Sequence, residues 1–174
     1  MAPAPSLPFL RRSIEKELDI TRQLVRRIER RSAEVIHAKP NKIILMKTAG
    51  YLHSFCYSLE KVFRIVAENV DHDLPRGKNQ AVKLIRQMTR DIEGVRPSVL
   101  TPQVASQLEA YLTFRLLVHK ADLLGADWNV LIPKIGDVRI LFARVESSVK
   151  NLLVKLESME KGEAEHELDQ DDRT

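Results

Sequence analysis

VRILFARVESSVKNLLVKL, residues 138–156, is the stretch whose reading decides the fold. Val138, Leu141, Val145, Val149, Leu152 and Leu156 recur at steps of three and four, which puts all six along one face of a helix. Arg, Glu, Ser, Lys and Asn fill most positions between them, so the segment reads as an amphipathic helix with an apolar stripe turned to a core.

The same period extends through the rest of the chain. A first helix spans about 8–38, with Ile14, Leu18, Val25, Ile28 and Val35 inward, and it stops ahead of Pro40. Its other face carries Arg11, Arg12, Arg22, Arg26, Arg27, Arg30 and Arg31. Asn41 is placed to cap a second helix reaching about Val70, whose stripe is Leu52, Phe55, Leu59, Val62, Phe63 and Val66. The segment 71–77, with Pro75 and Gly77, is a turn. A third helix covers about 78–92, with Val82, Ile85 and Met88 inward, and 94–102 is a structured loop. Thr101 and Pro102 form an N-cap and first turn for a fourth helix, expected to run to Leu124 and stop at Gly125. Asp127 caps the fifth, which the spacing predicts to be interrupted near Pro133 and to run on from 134 to 159. Short connections between consecutive helices favour an all-α, up-and-down bundle of about five helices. Residues 1–8 are then an irregular arm, 9–158 one helical domain, and 159–174 an acidic tail expected to be disordered.

Composition agrees with this reading and narrows the function. The 174 residues are 44% hydrophobic, enough for a real core, and include only six glycines. The single cysteine, Cys56, excludes an internal disulfide and a Cys-based metal site, and its apolar surroundings suit a buried structural thiol. The proline-broken start lacks the apolar run of a secretory signal, and no run approaches the roughly 20 residues that span a bilayer. A cytoplasmic protein without a membrane segment is expected. Asp71, His72 and Asp73 stand together, but three adjacent turn residues make a poor coordination cage, so no metal is expected. Gly-rich phosphate loops and the short hydrolase motifs do not occur, so no cofactor is expected either.

The net charge of +4 is unevenly spread. From Glu157 onward eight acids face two bases, which leaves −6 there and +10 on residues 1–156. A body at +10 suits a phosphate-bearing partner through counterion release, although Arg- and Lys-rich helix surfaces serve solubility as well.

The fourth helix carries the polar residues that need a reason. Arg115 and His119 are four apart, one turn above each other, in line with Leu108 and Leu112. A polar pair on that line requires partners or an aqueous cleft. One reading is a structural patch or a dimer contact. The other is a phosphate site, with arginine holding a non-bridging oxygen and histidine moving protons near neutral pH. On the second helix His53, Tyr57, Glu60 and Arg64 share a face. It is either a solvated packing network or a support that orders the Arg115–His119 pair.

YLHSF (51–55), Glu60, DLPRG (73–77), RPSVL (96–100) and LEAYLTFR (108–115) follow one another in an order that resembles the HepT-like branch of the HEPN superfamily. The likeness covers about residues 45–135. It implies a small all-α protein that forms a homodimer, a metal-independent endoribonuclease, and a toxin neutralised by a nucleotidyltransferase antitoxin. It also implies a site in which an arginine is followed, after four to six intervening residues, by a histidine, often with a tyrosine two beyond. Carried onto this chain, the catalytic candidates are Arg115, His119 and Lys120, with His53, Tyr57, Glu60 and Tyr111 in support. Aligned on Arg115, Lys120 stands where that family places its histidine, with His119 one residue earlier. Asp122 or Ala121 stands where it places the tyrosine. A lysine at its ordinary pKa of about 10.4 cannot act as a base, so two outcomes stay open. Either His119 serves in catalysis, or the protein is an inactive HEPN module that binds RNA or a nucleotidyltransferase partner.

Overall fold

The computed structural model describes residues 6–37, 42–120 and 128–171, with the side chains of 33–37, 42, 45, 114–120, 128–131 and 163–171 left out. Five helices account for the described chain: α1 (Leu7–His37), α2 (Lys42–Asn69), α3 (Gln80–Met88), α4 (Pro102–Lys120) and α5 (Trp128–Asp171). No strand occurs among the described residues, and the one β-bridge, between Ile92 and Arg96, is isolated. The all-α bundle expected from the apolar period is the observed architecture.

Cross-helix partners fix the directions. Glu17 meets Lys61 and Thr21 meets Ser58, so α1 and α2 are antiparallel. Arg11 pairs with Glu157, Arg22 with Glu146 and Glu29 with Arg139, so α5 runs antiparallel along α1. α3 and α4 close the other side of α2. The inward stripes merge into one core, in which Ile14, Leu18, Phe55, Phe63, Leu84 and Leu153 are fully buried.

The α1–α2 interface buries two hydroxyls, those of Thr21 and Ser58. Thr21 occupies the inward place between Leu18 and Val25, where the apolar stripe of α1 skips a step. Its hydroxyl lies 2.7 Å from that of Ser58 and donates to the Glu17 carbonyl at 2.8 Å, so the buried oxygens are satisfied inside the interface.

Three boundaries differ from the sequence reading. α3 is shorter at both ends than 78–92. Gly77 (φ +83°) and Asn79 (φ +60°) hold the left-handed conformation that keeps 78–79 out of the helix. At its other end the Met88 carbonyl accepts from the N–H groups of Val99 and Leu100, at 2.8 and 2.9 Å, so the returning loop takes the bonds that a longer helix would need. α5 is not interrupted at Pro133. Proline there forfeits a single intrahelical bond, close to the start of the helix, while Ile135, Val138, Leu141 and Phe142 downstream are buried. Finally, α5 continues to Asp171, carrying helix into the acid-rich segment, whose Glu, Lys and Ala are good helix formers. Asn41, Leu124, Gly125 and Asp127, expected at helix ends, lie outside the described residues, as do residues 1–5 of the N-terminal arm and 172–174 of the acidic tail.

The α1–α5 seam makes one prediction. Glu146 is held by Lys150 (2.8 Å) and Arg22. Burial alone would raise its pKa, but the hydrogen bonds and charges of Lys150 and Arg22 outweigh it and hold the carboxyl below its ordinary value. A depressed folded pKa gives stability that is present above the unfolded value of about 4.3 and is lost as pH falls through the folded one. Melting curves of wild type and Glu146→Gln should therefore differ at neutral pH, by under about 1 kcal/mol because both cationic partners reach solvent. The two should converge once the pH falls below the folded value. A gap that persists there would contradict the assignment.

Candidate functional site

α4 is an uninterrupted helix from Pro102 to Lys120. Thr101 caps it as expected, its hydroxyl accepting from the Val104 N–H at 3.3 Å. Leu108 and Leu112 are buried against α2 and α3. Continuing that line by the helical period brings Arg115 and His119 onto successive turns, about 6 Å apart along the axis. Lys120 is the last residue of the helix. The side chains of these three catalytic candidates lie outside the described residues.

Tyr111, one turn before Arg115, is described in full and is buried. Its ring leans on Phe55 of α2, with centroids 5.9 Å apart and planes tilted by 57°. Its hydroxyl donates to the Lys134 carbonyl at 2.6 Å. The Lys134 ammonium lies 4.8 Å from the ring centroid and donates to the Ala110 carbonyl at 3.2 Å. Burial, with the charge of Asp137 behind it, pushes the Tyr111 phenol well above its ordinary pKa. Burial also lowers that of Lys134. Tyr111 therefore stays a neutral donor that ties α4 to α5 just ahead of the Arg115 turn. Tyr111→Phe should cost about 1 kcal/mol in urea unfolding, the usual net worth of one such bond. No loss would mean that the ring alone holds the contact.

The supporting residues on α2 divide. Glu60 borders the crevice between α2, α3 and α4 beside Leu108 and Leu112, which brings it to the α4 line. Its ion pair with Arg64 is long, at 3.8 Å. His53 is half-buried. Tyr57 is 53% exposed, and the Lys61 ammonium lies 5.1 Å from its ring centroid. Tyr57 thus sits at the bundle surface, while Glu60 lies against α4.

Asp71, weighed above as part of a metal cluster, is committed elsewhere. Its carboxylate is fully buried against Arg96. Sequence reasoning did not pair these two residues, which stand 25 positions apart with α3 between them.

The sequence matches the HepT-like protein family over residues 47–156, from within α2 to well into α5. The chain belongs to the HepT-like family. Comparisons with curated proteins and with solved structures gave no significant match. The match covers every motif that carried the resemblance, including YLHSF, RPSVL and the α4 segment with Arg115 and His119. At family level, HepT-like membership points to the HEPN ribonuclease-toxin class. It also points to a family often found in toxin–antitoxin systems, with HEPN domains that dimerise. Among the described residues no helix is long and apolar enough to cross a membrane.

Proposed function

We propose that this HepT-like chain is an endoribonuclease toxin that cleaves RNA without a metal ion, using Arg115 and His119 at the cleft of a homodimer. A nucleotidyltransferase-type antitoxin is its partner, and it acts in the cytoplasm. The observation that carries the reading is the family match across α2–α4, in which Arg115 and His119 fall one turn apart on a single unbroken helix.

The chemistry follows from the residue types. His119 accepts the proton of a ribose 2′-hydroxyl, and the freed oxygen attacks the adjacent phosphorus. Arg115 holds the equatorial oxygens, on which charge builds as phosphorus becomes pentacoordinate. The P–O5′ bond breaks and the departing oxygen takes up a proton, leaving a 2′,3′-cyclic phosphate and a 5′-hydroxyl. Lys120 adds a cation beside the phosphate. Glu60 and Tyr111 act as positioning residues for α4, and His53 and Tyr57 line the neighbouring face of α2.

A second reading has its own support. Lys120 occupies the register where the family pattern expects histidine, and neither Ala121 nor Asp122 can replace the expected tyrosine. An inactive module would bind RNA or the nucleotidyltransferase through the same surface. Incubating the purified chain with RNA in EDTA, and assaying for cyclic-phosphate ends, separates the two. Cleavage supports the toxin, whereas binding without cleavage supports the module.

A further inference from the structure

α5 has a second face besides the one that fills the core. Pro133, Asp137, Ile140, Arg144, Ser147 and Asn151 recur at steps of three and four and point away from the buried stripe. This face does not lie flat against α4. Three clefts, of about 320, 600 and 370 Å³, open in succession between it and the segment 97–111. The first and second share Ile140 and Arg144, and the second and third share Thr101 and Ser148, so together they form one continuous groove.

The lining is specific in kind. Lys134, Arg139, Arg144 and Lys155 supply four cations, against a single carboxylate, Asp137. Ser98, Thr101, Gln103, Gln107, Ser147 and Asn151 supply neutral donors and acceptors. Two apolar side chains stand out of it, Ile140 at 51% and Val154 at 56% exposure. Existing ties are weak enough to exchange. Arg144 reaches Gln107 at 3.4 Å, and Arg139 meets Glu29 at 3.3 Å with most of its side chain in solvent. A docking helix would want a contiguous apolar stripe here, and this face offers cations and hydroxyls instead. From Lys134 to Lys155 the groove is about 30 Å long at the helical rise, room for roughly nine stacked nucleotides of one strand. One end lies at Tyr111, a single turn from Arg115.

We propose that the α4–α5 groove is the track for the sugar–phosphate backbone of single-stranded RNA, delivering the strand to the Arg115 end of α4. This rests on the ribonuclease reading and adds the path by which the substrate arrives. The cations neutralise phosphates, the hydroxyl and amide groups bond to ribose, and Ile140 and Val154 give apolar contact to bases.

The test uses the full chain and a 5′-fluorescein single-stranded RNA of about 12 nucleotides, with affinity followed by anisotropy across a salt series. The charge-reversed Arg144→Glu/Lys155→Glu protein should bind at least tenfold more weakly. Its plot of log affinity against log salt should be shallower by about 1.4, the share of two single-strand phosphate contacts. A neutral Arg144→Gln/Lys155→Gln protein, with circular dichroism and melting to confirm folding, should show an intermediate loss. If wild type binds RNA and both variants bind equally well with the same salt slope, the groove is not the track and the ribonuclease reading stands. If wild type binds no RNA at all, both are overturned.

Discussion

Arg115→Ala should lower RNA cleavage by about 10²–10³-fold, and His119→Ala by about 10²–10⁴-fold, with the melting temperature of each close to wild type. The two losses arise differently. Arginine at position 115 is asked to bind charge that appears only in the transition state, so its removal should reduce kcat more than it raises KM. Lysine there restores the charge but not the two-pronged geometry, and Arg115→Lys should recover only part of the rate. His119 is asked to accept a proton, which requires the neutral imidazole. Wild-type rate should then fall as pH drops through about 6.5, and that limb should vanish in His119→Ala. Lys120→Ala should cost about tenfold, mostly in KM, because a protonated lysine attracts phosphate without taking a proton. Since Arg115 and His119 act on one event, the double variant should be little worse than the poorer single one. Cleavage in EDTA that survives all three substitutions would sink the site. If Lys120→Ala abolished activity and His119→Ala spared it, the roles of these two residues would be reversed.

Much of this architecture could be read from the chain because helix–helix packing writes a period into sequence. The α2 stripe Leu52, Phe55, Leu59, Val62, Phe63 and Val66 is buried residue for residue. So are Val138, Leu141, Val145, Val149 and Leu152 of α5. Contacts between elements distant in sequence leave no such period. Thr21 looks like a lapse in the α1 stripe until Ser58 is opposite it. Met88 ends α3 because the loop at 99–100 returns to its carbonyl, and nothing within 78–92 announces that return. Pro133 misled for a related reason, since a single lost backbone bond is tolerated where the following turns are packed. For the site, the sequence pointed to α4 with Glu60 and Tyr111 in support, and the structure sets Glu60 of α2 beside α4 and ties Tyr111 of α4 to Phe55 and to Lys134 of α5. The groove was half legible. Its α5 wall repeats at steps of three and four beside the core stripe, but its other wall comes from the 97–101 loop and the outer face of α4, which only the fold brings alongside.

Arg96→Met should destabilise the bundle by about 3–5 kcal/mol, a large part of the roughly 5–15 kcal/mol that holds a domain of this size. Arg96 stands in the return from α3 to α4, and its side chain is wholly buried, as is that of Asp71 at the end of α2. All five guanidinium N–H groups have an acceptor. Nε and Nη2 grip the two Asp71 oxygens, the latter at 2.7 Å. Nη1 donates to the carbonyls of Arg90 and Pro97, each at 3.0 Å, and Nη2 also reaches that of Gln87 at 3.3 Å. One side chain thus joins the end of α2, the end of α3 and the loop that leads into α4. Removing it strands a carboxylate away from water, where an unpaired charge is most costly. Arg96→Lys should recover little, because an ammonium cannot meet acceptors spread in a plane. Asp71→Asn should fall between wild type and Arg96→Met, because the amide keeps the shape and one acceptor while losing the charge. The informative variant is Asp71→Leu/Arg96→Met. With both charges gone it should be more stable than Arg96→Met alone, since no carboxylate is left buried without its partner. It should still fall short of wild type. The Gln87 amide, which donates to Asp71 at 2.7 Å, would lose that acceptor, and three carbonyls would lose the guanidinium. Urea unfolding followed by circular dichroism measures the series. An Arg96→Met protein within about 1 kcal/mol of wild type would show that water reaches this pair, and that α2, α3 and α4 are joined by their apolar contacts alone.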